Sequence, residues 1–599
     1  MRQNYKLFAG SAAIPMEPIL ELGEFSSVEE LELGKAYKGI AMKGRVRLNK
    51  LVSGTLKGAP KLEDGEPVVA KLVKRSGSEL VFSFVSAGET EAQLIDKAFQ
   101  QKTAAELREW DFASVRGRVF CVEKAGISRG FLLDGTGAAI VETQELEEGA
   151  FVEAGGEVKA GSPPIIAAQS VRPTEVGETD AKVSEYLERN SKPLSFNPLV
   201  GDAVMKALSP KIAECARFLK RRLLEFQPVM LRYHGDADGV CSAILVVSAL
   251  KKFLSSRGIS TEENRFLLTT TQTDSAIYSQ RDLAMDVEKA ALLPKKPVMV
   301  FLDHSANQES FEQVKTLRES GHEVVIVDHH PPSPGIAGAV THFVSPFLAG
   351  GSAHHTAGLL CFDLANAIAG GADERLAQVS MQGDKSIFAK PEPLKEPRVI
   401  DYLAAYNDPE SPEFYAAVLS DPKKVDYYFE EANNRVKRAL AASKPFVKQK
   451  NVGAALLVTV KLDKFCKKGE YPPKGSVLNE IHREASEASG GAATVSIGTG
   501  GDSITFRANH AAFEAGFKAS QLILLLKQEF PYAVVSGGGH DVAASMRVRE
   551  EFLQSVLDRT LQLTEEALAK APPKTEEKHA ESEIKAEEAQ AKMDVEDAV

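Results

Sequence analysis

An α/β protein built around a parallel sheet, with a smaller α/β domain behind it and β-barrel modules ahead of it, is the fold class this sequence predicts. Three observations carry the prediction. Strands and helices alternate from residue 228 onward, a second alternation begins near 451 after a helical stretch, and short β-runs with glycines at their corners precede residue 175. At 599 residues the chain exceeds what one hydrophobic core serves, so several domains are expected.

The first module, residues 1–105, reads as a degenerate barrel. GKAYKGIAMKGRVRLNKLVSGTLKG gathers Lys35, Lys38, Lys43, Arg45, Arg47, Lys50 and Lys57, with Tyr37 as a base-stacking candidate. Residues 106–175 hold the clearer barrel, VRGRVFCVEKAG, GFLLDGTGAAIVET and the run from LEEGAFVEAGG to SVRP. Glycine corners around a DGTG turn resemble the OB-fold of nucleic-acid-binding proteins; a barrel used only for protein contacts is the alternative. Residues 176–226 read as a helical linker, in which the KRR run at 220–222 is expected to be a solvated helix face.

From 227 to 390 the rhythm is that of a parallel sheet covered on both faces, where chemistry collects at the carboxyl ends of the strands. LRYHGDADG, VFLDH and VIVDHH each run an apolar strand into acids and histidines. Parallel neighbours lie about 4.8 Å apart, so His234, Asp236, Asp238, Asp303 and His329 are positioned to converge, and QGDKS adds Asp384. Eight of the twelve histidines fall between 234 and 355. Clustered carboxylates repel one another unless cations sit between them. Mixed Asp and His ligation without thiolate suits Mn²⁺ or Mg²⁺. His304, after Asp303, reads either as an orienting group or as an ordinary core residue, and His354 and His355 in GGSAHHTAG open a helix where they serve either phosphate binding or plain capping and packing. His322, His342 and His482 read as ordinary surface or core residues.

A helical connector (391–450) leads to a second α/β domain (451–570), whose YAVVSGGGH is read as a strand followed by a tight glycine turn. Gly537, Gly538 and Gly539 allow backbone amides to approach an anion, beside His540 and Arg507. Residues 571–599 form a charged tail expected to be disordered; nine acids against four lysines leave the rest of the chain, out of a net −11, mild enough for a local basic groove.

HGDADG, FLDHS, VDHH and QGDKS in that order, followed by GGGH, resemble the DHH superfamily of phosphoesterases over roughly 228–550. The barrels ahead of that core make the set most similar to archaeal RecJ-like exonucleases. The resemblance implies a catalytic and a DHH-associated domain, and two Mn²⁺ ions held by Asp236, Asp238, Asp303, His329 and Asp384. In some DHH enzymes the first ligand histidine stands four residues before the DxD pair; His234 stands two before Asp236, which leaves its ligand role open. The resemblance further implies hydrolysis of single-stranded DNA or RNA in replication or repair, and a partner such as the GINS complex or another replisome protein. In this reading Asp328 orients an imidazole, His330 contacts substrate or transfers a proton, and Arg507 with the GGGH run holds phosphate. Two rival readings are an oligoribonuclease or phosphoadenosine-phosphate phosphatase, and a non-catalytic replisome scaffold.

No apolar run reaches the roughly 18 residues that span a bilayer, and MRQNYKLFAGSAAIPMEP lacks the apolar core of a secretory signal. A cytoplasmic protein without membrane contact is expected. The five cysteines are widely spaced and odd in number, so buried free thiols are expected.

Overall fold

The computed structural model describes residues 31, 36–48, 52–57, 61–62, 65–76, 79–87, 99–109, 111–405, 411–467 and 470–569. Lys35, Lys50, the side chains of Lys38 and His540, and the 571–599 tail lie outside the described residues. The chain divides into two compact units, 1–234 with 238–390, and 235–237 with 391–599.

Two five-stranded barrels begin the first unit. β1 (Ala36–Met42), β2 (Arg45–Arg47), β3 (Ser53–Lys57), β4 (Pro67–Ser76) and β5 (Glu79–Ala87) close in the order β1-β2-β3-β5-β4, with β4 back on β1. Alternating Val46, Leu48, Leu56, Val68, Leu72 and Phe82 fill it. Tyr37 is 2% exposed within this core, so it is unavailable for stacking on a base: strand alternation points it inward. Arg45, Lys43 and Lys57 are exposed.

The second barrel repeats the order. The short β6 (Gln100–Gln101) flanks β7 (Phe112–Ala125), β8 (Ile127–Leu133), β9 (Ala138–Thr143), β11 (Ile165–Pro173) and β10 (Phe151–Lys159), and β10 pairs back on β7. Its DGTG turn is tied by Asp134, whose Oδ1 accepts from the N–H of Thr136 (2.7 Å) and of Gly137 (3.0 Å). Gly135 takes φ +93, a conformation that favours glycine.

α1 (Val176–Ser191) and α2 (Ala203–Leu224) are not a linker. α2 buries Met205, Leu208, Ile212, Cys215, Leu219 and Leu223 along one face and packs on α7 (Ala357–Ala369). Lys220 of the KRR run is likewise no solvated residue: it is 2% exposed and donates to the Lys192 carbonyl. The sheet itself is parallel, β13-β12-β14-β15-β16, formed by β12 (Val229–His234), β13 (Leu268–Thr273), β14 (Val298–Leu302), β15 (Glu323–Val327) and β16 (His342–Val344). Every residue of β14 is buried, as covering on both faces requires. α3 (Ala237–Ser255), α4 (Gln280–Ala291), α5 (Phe311–Glu319), the short α6 (Ile336–Ala339) and α8 (Glu374–Gly383) complete it.

In the second unit, α9 (Glu396–Ala404), α10 (Pro412–Leu419) and α11 (Pro422–Ser443) precede a six-stranded sheet ordered β17-β18-β19-β20-β22-β21. Its strands are β17 (Val447–Val452), β18 (Ala455–Lys461), β19 (Thr494–Gly500), β20 (Ser503–Ala508), β21 (Val534–His540) and β22 (Ala543–Val548). α12 (Lys474–Ala488), α13 (His510–Glu514), α14 (Ala519–Glu529) and α15 (Leu553–Leu568) cover it. The GGGH run is not the expected tight turn. It lies inside edge strand β21, paired with β22, and the chain reverses only after His540. Close packing explains the glycines: a Cβ on Gly537 would come within 2.6 Å of the Met546 Cβ, and one on Gly539 within 2.6 Å of the Ala543 carbonyl.

All five cysteines are free and buried. Among the described residues, no helix is long and apolar enough to cross a membrane.

Candidate metal centre

Strands β12, β14 and β15 end side by side, and each runs directly into acid and imidazole. His234 closes β12, Asp236 follows in the connecting turn, and Asp238 lies in the first turn of α3, one step further into the helix than a turn position. Asp303 follows β14; Asp328, His329 and His330 follow β15. Asp384 caps the C-terminus of α8.

These side chains meet. His329 Nε2 lies 3.3 Å from Asp303 Oδ1, 3.4 Å from Asp238 Oδ2 and 3.1 Å from Asp384 Oδ2. His234 Nδ1 lies 3.2 Å from Asp303 Oδ2, and His330 Nδ1 3.5 Å from Asp303 Oδ1. Three groups each place their ligand atoms within 4.8 Å of one another: Asp303, His329 and His330; His234, Asp236 and Asp303; Asp238, His329 and Asp384. Asp303 and His329 each belong to two groups, which is where ligands shared between neighbouring ions would stand.

The surroundings hold these groups in fixed orientations. Asp238, fully buried, accepts from the N–H of Ala357 (2.8 Å) and of Gly358 (2.6 Å) at the N-terminus of α7, and from Ser380 Oγ (2.7 Å). Helix-end amides replace the hydrogen bonds that a buried carboxylate would otherwise make to water. His329 Nδ1 donates to the Ala353 carbonyl at 2.7 Å, which leaves Nε2 facing the acids. His330 Nδ1 donates to Asp328 Oδ1 at 2.8 Å, while Asp328 Oδ2 accepts from the Ala306 N–H at 3.0 Å. His304 stacks on Phe301 and bonds Ser305 Oγ beneath the site.

The electrostatics agree with a cation site. Burial alone lowers the pKa of His329, yet its close contacts with the Asp303 and Asp384 carboxylates and the charge of Asp238 hold it well above the ordinary imidazole range. His330, also lowered by burial, is brought up to about 9 by Asp328 and Asp303. Burial works to raise Asp328, but the charge and bond of His330 outweigh it and hold the carboxyl below its usual range. Asp303 Oδ1 is buried and accepts no hydrogen bond. Concentrated negative charge with an orphaned carboxylate oxygen fits oxygen-seeking dications, and the absence of thiolate fits Mn²⁺ or Mg²⁺.

The remaining sequence-derived residues stand apart from this cluster. His355 is turned inward, Nε2 2.8 Å from Asp202 Oδ2 and Nδ1 3.3 Å from the Ser352 carbonyl, so both ring nitrogens are engaged within its own unit. Arg507 lies in the second unit, where Ser496, Arg507, Ala543 and His540 occupy one row across β19, β20, β22 and β21. Its Nε donates to Asn479 Oδ1 and its Nη1 to the Phe506 carbonyl (2.7 Å); burial lowers its pKa, and no carboxylate pairs with it among the described residues. His482 joins this row: its Nδ1 lies 2.9 Å from Ser496 Oγ, and burial with the nearby Arg507 charge brings its pKa down to about 4. Sequence reading did not single out Asn479, Ser496, Ser380 or the Ala353 carbonyl as partners of these groups, since no local pattern separates them from ordinary helix, strand and loop residues.

Known proteins resemble parts of this chain. Residues 228–379 match the model of the DHH family, N-terminal domain. An uncharacterized protein of Methanocaldococcus jannaschii is 22% identical over 90% of this chain and 82% of its own length. A solved DHH-domain protein, described as a member of the s1p family of ribosomal proteins, superposes with a TM-score of 0.59 at 23% identity, over 65% of this chain and 98% of that one. RecJ of Thermus thermophilus in complex with Mn²⁺ aligns at 15% identity with a TM-score of 0.41, over 64% of this chain and 57% of that one.

Proposed function

We propose, from the premise that residues 228–379 form a DHH-family N-terminal domain of phosphoesterase type, that the chain is a Mn²⁺-dependent phosphodiesterase hydrolysing single-stranded nucleic acid. A RecJ-like exonuclease in DNA replication or repair is the specific form of this reading. One observation carries it: Asp236, Asp238, Asp303, His329 and Asp384 meet at the ends of parallel strands around an Asp303 oxygen that accepts no hydrogen bond.

Those five residues, with His234 beside Asp303, would hold two ions. Bound there, two Mn²⁺ or Mg²⁺ ions would supply an activated water and neutralise charge on a phosphodiester under in-line attack. No protein nucleophile is needed. Asp238 is held in place by the α7 amides and Ser380. Asp328 fixes the His330 ring, which is partly exposed, so that it can contact a substrate phosphate or carry a proton. Arg507, with Asn479 and the Gly537–His540 strand, offers a phosphate contact within the second unit. A replisome assembly such as GINS is the corresponding proposed partner, on the family resemblance alone.

The test is digestion of end-labelled single-stranded DNA and RNA with added Mn²⁺ by wild type and Asp303→Ala, alongside metal analysis of the purified protein. Polymer degradation by wild type and its loss in Asp303→Ala supports the reading. Clearance of dinucleotides or phosphoadenosine phosphate with intact polymer moves the assignment to a small-substrate phosphatase or oligoribonuclease. Absence of bound Mn²⁺ together with no Mn²⁺-stimulated hydrolysis moves it to a replisome scaffold.

A further inference from the structure

An OB barrel meets oligonucleotides with the outer face of its second and third strands and with the loops joining strands 1–2 and 4–5. In the barrel of residues 100–173 the second and third strands are β8 and β9, and the 4–5 loop is residues 160–164. Both are already occupied. Phe131, at the centre of β8, points away from the barrel core and is nonetheless fully buried. Its ring centroid stands 4.8 Å from that of Phe226, after α2, and 5.2 Å from that of Phe266, before β13. Aromatic contacts of this kind combine large apolar burial with specific geometry.

The loop is held as firmly. The Ser162 N–H donates to Glu263 Oε2 and its Oγ to the Gly258 carbonyl, each at 2.8 Å. The Ser162 carbonyl in turn accepts from the Ser260 N–H (3.0 Å) and Asn264 Nδ2 (2.8 Å). On the far side, Lys295 Nζ donates to the Phe120 carbonyl (3.1 Å) and pairs with Glu148 (2.8 Å). At the DGTG turn a Cβ on Gly135 would fall 2.8 Å from the Lys182 Cβ of α1, so the turn lies flush against that helix.

Charge gives an independent argument. Residues 100–173 carry eight Lys and Arg against eleven Asp and Glu. Lys102 pairs with Asp111, Arg116 with Glu153, Arg118 with Asp180, Arg129 with Glu123 and Glu142, and Lys159 with Glu142. Phosphate binding depends on cations that displace counterions, and a net acidic barrel whose cations face carboxylates is poorly suited to it.

We infer that this barrel commits its oligonucleotide-binding face and loop to a permanent intramolecular dock on segments 226 and 258–266 of the same unit, and that nucleic acid is bound elsewhere on the chain. The inference stands whether or not the metal centre hydrolyses nucleic acid. Hydrogen exchange on the full-length protein tests it. Phe131→Ala, and separately the milder Glu263→Ala, which removes only the loop contact, should each raise exchange in the 258–267 peptide about tenfold. Adding excess oligothymidylate or oligouridylate to wild type should leave exchange at 127–133, 160–164 and 258–267 unchanged. Unaltered exchange at 258–267 in both variants overturns the dock, and so does any change at these peptides on adding an oligonucleotide. Failure of the hydrolysis assay above bears on the metal centre and leaves this result standing.

Discussion

Asp303 holds a left-handed backbone, φ +54, and Ser305 does the same at φ +75. Aspartate tolerates that region better than most residues. The tight path aims the carboxylate at both His234 and His329, while the Asp303 N–H still donates to the Val327 carbonyl at 2.9 Å. In the proposed function Asp328, bonded to His330 Nδ1 at 2.8 Å, acts through that ring rather than on substrate. Asp328→Asn should therefore reduce hydrolysis by about 10–100-fold with an unchanged circular-dichroism spectrum, and alter the pH–rate profile, which a purely structural role would leave alone. A bound dication stabilises the native state by mass action, about 2.7 kcal/mol at a concentration 100 times Kd. Mn²⁺ should thus raise the melting temperature of wild type and not that of Asp303→Ala. Asp363, buried in α7, gives a separate test. Desolvation raises its carboxyl to about 7, opposed only by the Leu199 N–H, and its Oδ2 accepts no hydrogen bond. The folded state therefore keeps a proton that the unfolded chain releases near the ordinary 3.8. Its contribution to stability is undiminished below that value, declines as pH rises toward 7 and is constant above. Asp363→Asn should flatten that decline in denaturant titrations between pH 4 and 8, removing a penalty of at most about 4 kcal/mol at the alkaline end.

At the scale of elements, the N-terminus of α7 does for Asp238 what a capping residue does for a helix, with donor and acceptor drawn from different parts of the chain. Gly358 permits the approach. A Cβ there would run into Ser380 and lie 3.0 Å from Asp238 Oδ1. Gly358→Ala should destabilise by about 1–3 kcal/mol through overpacking and weaken Mn²⁺ affinity measured by calorimetry. Gly338, which meets nothing within 4 Å, is the control expected to tolerate alanine. The GGGH run makes a complementary point. Read locally it is a turn, yet pairing with β22 and packing against α14 make it a strand, since small side chains relieve two close approaches at once.

For the molecule as a whole, the two barrels share a strand order but differ in surroundings. Among the described residues, removing 1–98 takes away only those of the first barrel. Such a truncation should keep its melting temperature and its turnover of a dinucleotide substrate. Removing residues 1–175 uncovers Phe226 and Phe266, and that protein should aggregate or melt at markedly lower temperature, as light scattering and calorimetry would show. A version cut at 175 that is soluble and equally stable would contradict the docked arrangement.

Sequence by itself determined the α/β rhythm, both barrels and the residue types at the ends of β12, β14 and β15, because period-2 and period-3.6 patterning and strand-end chemistry are local properties. Only the tertiary structure decided the rest. His355 meets Asp202, 153 positions away; Tyr37 and Lys220 turn inward; Phe131 grips a neighbouring element; and Ser380 supports Asp238. Each of these depends on contacts between segments remote in the chain, which no spacing along a single strand or helix encodes.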